Sequence, residues 1–206
     1  MKILFVFLFI GFFVFATPKN DLSTRLLLID GFSVDFFQRV ISPDGDIVMK
    51  GEGTLEVASP NLFRWNSLLP DENTLLFDGK NLWYYSPALS QVSILGKEQI
   101  EERTLFSFFT GDLIRTLGNY DVINVGDHFT LIPNKTNLDQ SHFEVCIDEG
   151  GVMKNFNIIE EDGQKILFNL ENFNLNKPNS DRFTFVIPKG VEVDDQRNST
   201  EELTKV

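Results

Sequence analysis

The chain is poor in the residues that carry most site chemistry. Its 206 residues include one cysteine, Cys146, and two histidines, His128 and His142. A single cysteine excludes an intrachain disulfide, and a lone thiol in an exported chain is expected in the interior. His142 and Cys146 lie four apart on a strand-like run, which puts them on one face but about 13 Å apart. That is too far for two ligands of one ion, and with His128 as the only other imidazole no metal is expected. There is no Gly-x-Ser-x-Gly elbow, and neither histidine sits in a recognisable motif with a nucleophile. Gly51-Glu52-Gly53 lacks the third glycine of a phosphate-binding loop and falls inside a strand pattern. Glu160-Glu161-Asp162 and Asp194-Asp195 flank turns or the tail and read as solvated carboxylates. Positive charge is scarce too: 18 Lys and Arg stand against 30 Asp and Glu, a formal charge of −12. Such a chain is repelled by nucleic acid and by anionic lipid head groups. The expectation is a protein without cofactor, metal, nucleic-acid partner or catalysis.

Long apolar runs are also absent, with one exception. Lys2 precedes Ile3 to Ala16, apolar throughout apart from Gly11, and Val14-Phe15-Ala16 ends the run. A short charged start, a hydrophobic stretch and small residues at its end form the pattern of a cleaved secretory signal, residues 1–16, with Thr17 the new N-terminus. The run is shorter than the ~20 residues of a spanning helix. No cysteine follows it, so the acceptor for N-terminal lipidation is missing and a soluble exported protein is expected. The ~190 residues that remain suit a single domain, read here as 17–197, followed by a polar tail, 198–206.

What the chain does have is phenylalanine, 21 residues, with two Trp and three Tyr, set in short alternating runs. Leu22, Leu26 and Ile29 share one helical stripe in 21–29, which Asn20 or Asp21 can cap and Gly31 ends. Phe32, Val34 and Phe36 then alternate as a strand. Ile47 to Ala58 forms another, with Gly51 and Gly53 marking a bulge or bend. Strands at 62–68, 74–77, 81–86 and 91–95 follow, joined by Pro70-Asp71-Glu72-Asn73, Asp78-Gly79 and Pro87 turns. Helical spacing returns over 97–117, with Phe106, Phe108 and Phe109 in it. Further strands are expected at 121–125, 128–132, 142–147, 153–160 and 165–173, and a last alternating one at Arg182–Pro188. Ten or eleven strands linked by hairpins make an antiparallel sheet that must curl, with helices on its concave side. Strand parity puts Phe63 and Trp65 on one face, and likewise Trp83 with Tyr85. These aromatics either fill a core or line a cavity for an apolar ligand, and periodicity does not separate the two.

The order and spacing of these residues carry a resemblance. Pro60-Asn61-Leu62-Phe63-Arg64-Trp65, Pro70-Asp71-Glu72, Asp78-Gly79-Lys80-x-Leu82-Trp83-Tyr84-Tyr85-x-Pro87 and Gln91-Val92 resemble the periplasmic outer-membrane lipoprotein carriers, the LolA family. So do Phe32-x-x-x-Phe36-x-Gln38-x-Val40, Gly51-x-Gly53-x-Leu55, and Arg182-Phe183-Thr184-Phe185 running on to Pro188, Gly190 and Asp194-Asp195. The likeness spans Asp21 to Arg197. It implies a mainly β fold with a few helices: a curved, unclosed antiparallel β-barrel with a helical lid over a hydrophobic cavity. It implies a monomeric periplasmic carrier that takes outer-membrane lipoproteins from an inner-membrane ABC transporter, shields their acyl chains and passes them to an outer-membrane acceptor. The acyl-chain residues it implies are Leu26, Phe32, Phe36, Phe63, Trp65, Trp83, Tyr85, Phe106, Phe108 and Phe109. Where the family carries an Arg that latches the lid, immediately before the Pro-Asn pair, this chain has Ser59. The alternative is a non-catalytic interaction module of the same fold, acceptor-like (LolB-like) or structural, with a filled core.

Overall fold

The computed structural model describes residues 17–96, 113–134 and 141–197. Phe106, Phe108, Phe109, residues 1–16 expected as a leader and the tail from 198 lie outside the described residues.

Helix α1 spans Pro18–Leu26. It starts earlier than the apolar stripe alone predicts. Thr17 is the N-cap, its hydroxyl accepting the amide N–H of Asn20, and Pro18 takes the first helical position, where a missing N–H costs nothing. A short helix α2 covers Leu113–Gly118.

Among the described residues twelve strands form one sheet. They are β1 (Gly31–Ile41), β2 (Ile47–Ala58), β3 (Leu62–Leu69), β4 (Asn73–Phe77), β5 (Asn81–Ser86) and β6 (Gln91–Gly96). After α2 come β7 (Tyr120–Val125), β8 (His128–Pro133), β9 (His142–Ile147), β10 (Met153–Ile159), β11 (Lys165–Asn174) and β12 (Glu192–Asp195). The spatial order is β12-β6-β5-β4-β3-β2-β1-β11-β10-β9-β8-β7. Two meanders are thus joined through the antiparallel pairing of β1 with β11, and β7 and β12 are the two edges, so the sheet is not closed on itself.

Two expectations change. The sheet is not wholly antiparallel, because β12 runs parallel to β6. Arg182–Pro188 is not a strand: Ser180–Phe183 is one turn of 3-10 helix, capped by the Asn179 side chain, and 184–191 carries no ladder. Its aromatics are held by side-chain packing on the outer face of the sheet instead.

Pairing register fixes one continuous concave face. Phe63 pairs with Phe77 and Val57, Trp65 with Leu75 and Leu55, and Phe77 with Leu82. Across the middle, Phe36 pairs with Gly53 and Leu170, and Phe156 with Phe168 and Val145. These side chains form the main core together with Leu22 of α1, Leu131 and Tyr120, and a smaller group of Phe63, Phe77 and Leu82 continues it. The Gly53 bend anticipated from sequence coincides with a register shift between Glu52 and Gly53. The glycine is required there: a Cβ would sit 2.6 Å from the Phe36 ring and 2.0 Å from the Asn66 carbonyl oxygen. The Phe36 ring packs on the backbone that Gly53 leaves free of a side chain.

Candidate functional site: an apolar cavity under helix α1

The concave face is greasy over most of its area, and an aromatic wall runs across it. Phe36 and Trp65 have ring centroids 4.2 Å apart, Trp65 meets Phe168 edge-on at 5.2 Å, and Phe168 stacks on Phe156 at 4.4 Å. Such offset and edge contacts add modestly to the burial of each ring. On one side of this wall α1 covers the sheet. Between them is a cavity of about 130 Å³, bounded by Leu22, Leu26 and Leu27 on the helix side and by Phe32, Phe143 and Phe156 on the sheet side. Ser59 and Pro60 form its rim. On the other side lies a more open cleft of about 460 Å³, with Trp65, Phe168, Leu75 and Leu82 as its floor and Gln38 and Asn73 among its polar edges.

The cavity under α1 is below the ~300–1,000 Å³ that encloses a drug-sized ligand. It holds no charged lining group among the described residues. Its chemistry is therefore that of apolar transfer, about 25 cal/mol per Å² removed from water, and it must widen to take anything long.

The helix that roofs it is tied down by a residue the sequence reading missed. Arg25 lies in the last turn of α1, only 8% exposed. Its Nε and one terminal nitrogen donate to the two carboxylate oxygens of Asp21 at 3.0 and 3.1 Å. The other terminal nitrogen donates to Asp127 Oδ1 at 2.6 Å and to the Ile147 carbonyl at 2.8 Å. The guanidinium also sits 5.2 Å from the centre of the Phe129 ring. The hydrogen bonds to Asp21 and Asp127 push its pKa further above an already high value. The available signal was positional: Leu22, Arg25 and Leu26 occupy i, i+3 and i+4, so an arginine stands in the apolar stripe.

Of the side chains expected to line an acyl site, Leu26 and Phe32 border the cavity under α1, and Trp65 floors the second cleft. Phe36 and Phe63 are buried on the same concave face. Trp83 and Tyr85 are not there. The β4–β5 register pairs Leu82 with Phe77, so Leu82 and Tyr84 share the face of Phe63 while Trp83 and Tyr85 point outward. There Trp83 stacks on Phe185 at 5.4 Å and Tyr85 leans on the same ring at 5.9 Å. The indole N–H of Trp83 donates to Asp78 Oδ2 at 2.8 Å. Nearby, Arg182 forms a bidentate pair with Glu56 and its carbonyl accepts from Arg64. This patch fastens the 180–187 segment to the outside of the sheet. Cys146 is likewise on the outer face rather than interior, 3.9 Å from His128 Nε2, and burial pushes its thiol pKa up. Among the described residues no three His, Cys, Asp or Glu side chains cluster as a metal site.

The model of the family described as "Outer membrane lipoprotein carrier protein LolA" matches residues 28–186. Among curated proteins, the outer-membrane lipoprotein carrier protein of Vibrio parahaemolyticus is 54% identical over 89% of this chain and 88% of its own length. That of Vibrio vulnificus is 47% identical over 96% of this chain and its whole length. Solved structures share the fold at low identity. An uncharacterized conserved protein from Thermus thermophilus has a TM-score of 0.59 at 13% identity, covering 87% of this chain and 99% of its own. A LolA superfamily protein from Nitrosomonas europaea has a TM-score of 0.50 at 13% identity, over 82% and 99%.

Proposed function

The chain belongs to the LolA family of outer membrane lipoprotein carrier proteins, and from that premise we propose that it carries lipoproteins by sheltering their acyl chains beneath α1. The observation that supports this most is the uncharged, largely apolar cavity between α1 and the concave face. Carriage of this kind needs no bond to be made or broken. It needs a surface that prefers acyl chains to water and a means of letting them go.

Both follow from the same side chains. An acyl chain with about fourteen methylenes gains roughly 11 kcal/mol on full burial, at ~0.8 kcal/mol each. A preformed pocket of that strength would hold its cargo too tightly to deliver it. Here the side chains of α1 and the sheet occupy the space when no ligand does, so an entering chain displaces their contacts and the net affinity falls by that amount. Leu26 and Phe32 at the cavity, and Phe36, Phe63 and Trp65 along the concave face, are the residues we assign to the acyl path, with Phe106, Phe108 and Phe109 as family-implied contributors. Partners in this reading are the lipoprotein, an inner-membrane ABC transporter that releases it and an outer-membrane acceptor. The protein works as a monomer in the periplasm after removal of residues 1–16.

The test is a transfer assay with the mature chain, transporter-bearing inner membranes loaded with a lipoprotein, and acceptor-bearing outer membranes. Appearance of the lipoprotein in the soluble fraction with this chain, then on the acceptor membranes, is the expected result. Lipoprotein that stays on the donor membrane at every concentration of the chain would sink the carrier reading in favour of a filled-core interaction module.

A further inference from the structure

We propose that the open cleft screens cargo by its head group: it seats the uncharged, ester- and amide-linked end of an acylated peptide and turns away lipids whose head is a phosphate. The inference rests on the carrier reading and deepens it, since it names what the second space of that site selects.

It begins from a gradient in the strand register. Rows of inward side chains run across β1 to β6. The row that includes the cavity residue Phe32 is apolar throughout: Phe32 pairs with Val57, Val57 with Phe63, Phe63 with Phe77, Phe77 with Leu82 and Leu82 with Leu95. In the next row Trp65 pairs with Leu75, Leu75 with Tyr84 and Tyr84 with Ser93. One row farther, Gly53 pairs with Ser67, Ser67 with Asn73, and Ser86 with Gln91. On β1 the inward run Phe32, Val34, Phe36 likewise passes to Gln38. A face that only stored acyl chains would gain from apolar side chains in every row. This one changes character along its strands.

The cleft lies where the face turns polar. Trp65 and Phe168 lie in its floor, and Gln38, Asn73, Ser93 and Gln196 reach it from β1, β4, β6 and the end of β12. Its volume of about 460 Å³ suits a small ligand, and a few placed polar groups on an apolar floor fix which end of that ligand sits there. Side-chain amides and a hydroxyl donate and accept without carrying charge, which matches ester carbonyls and peptide amides. The charge held at this rim is negative. The Asp194 carboxylate accepts from the Ser93 hydroxyl at 3.5 Å and from the Gln196 side-chain amide. A phosphate in the cleft would face that carboxylate in a partly buried place, where like charges repel more than in water. An ester or amide meets no such repulsion, so the unfavourable pairing separates the two classes as much as the favourable one does. Acyl chains attached at the cleft start beside the cavity under α1, because Phe156 of the cavity stacks on Phe168 of the cleft at 4.4 Å.

The experiment uses the mature chain and two lipids with acyl chains of the same length, an uncharged tripalmitoylated cysteinyl-serinamide and dipalmitoylphosphatidylglycerol. Each competes with the fluorescent apolar probe N-phenylnaphthylamine. The natural chain should take the lipopeptide about tenfold more tightly than the phospholipid. Gln38→Leu and Asn73→Leu should each narrow that preference about fivefold, since a lost rim bond weakens the lipopeptide and leaves the repulsion of phosphate in place. Asp194→Asn removes the charge and keeps a hydrogen-bonding side chain, and it should tighten phospholipid binding roughly threefold. The ratio of the two affinities cancels any general loosening of the fold. Equal affinities in the natural chain, an unchanged ratio in both leucine variants, or phospholipid binding no tighter in Asp194→Asn would overturn the inference. A natural chain that binds the lipopeptide without preference loses only this inference, and one that binds neither lipid loses the carriage reading with it.

Discussion

Two aromatic groups sit on opposite faces of the same sheet, and they do different work. On the concave face Phe36, Trp65, Phe168 and Phe156 pack ring against ring, tilted, edge-on and stacked in turn, beside a cavity and a cleft. On the outer face Trp83 stacks on Phe185 and Tyr85 leans on it, while the Trp83 indole donates to Asp78 and Arg182 pairs with Glu56 nearby. The inner group offers a ligand mainly dispersion and dehydration. The outer group is a fastening for the 180–187 segment, and the Trp83 ring at its centre is fixed by its bond to Asp78. Aromatic density therefore does not mark a binding wall. The face does.

The largest effect that would sharpen this contrast is at Phe36, which is 1% exposed and covers Gly53. Phe36→Ala should lower unfolding free energy by about 3–5 kcal/mol, read from urea or thermal unfolding, and a loss below 1 kcal/mol would mean that the wall is not the structural centre of the concave face. Next is Trp83→Ala on the outer face. It should cost about 2 kcal/mol from lost stacking and the lost indole bond, and leave lipoprotein capture as it was. Weakened capture at unchanged stability would break the distinction between the faces. Third, Leu27→Glu at the cavity edge should change stability by less than about 0.5 kcal/mol because the side chain is exposed. It should reduce capture roughly tenfold, the equivalent of ~1.4 kcal/mol. Equal capture by this variant would move the entrance elsewhere.

The smallest effect concerns pH. Burial pushes the Asp78 carboxyl upward, but hydrogen bonds from the Asn81 and Lys80 amides, the Trp83 indole and the Asn81 side chain outweigh it and hold the pKa below the ordinary value. A carboxyl depressed by folding contributes stability that is complete above about pH 4 and is lost as pH falls through its folded value. Asp78→Asn should accordingly flatten the acid limb of the stability curve while leaving capture at neutral pH unchanged. An unaltered acid limb would remove Asp78 from the fastening of the outer cluster.

How much of this was legible in advance depends on what each feature requires. The strands β2 to β6 read directly, because their alternation and their turns are local. The bend at Gly53 also read correctly from one residue type in one pattern. The site was only half legible. Parity within a strand pairs Phe63 with Trp65 and Trp83 with Tyr85, but it does not say whether the two pairs face the same way. The tie between them is the number of residues the 78–81 turn consumes, which sets Leu82 rather than Trp83 opposite Phe77. Arg25 was passed over because a charged residue in a short helix reads as solvent-facing until its partners, about a hundred and more positions away in sequence, are known.

Sequence alone carried the leader pattern and the antiparallel meanders, which are written in composition, period and spacing, and, through the resemblance of its motifs, the family. Tertiary structure alone decided which face each aromatic occupies, that β12 joins β6 in parallel, and that α1 is held through Arg25. The physical reason is common to the three. Each depends on groups far apart in the chain meeting across the sheet, and no local propensity encodes such a meeting.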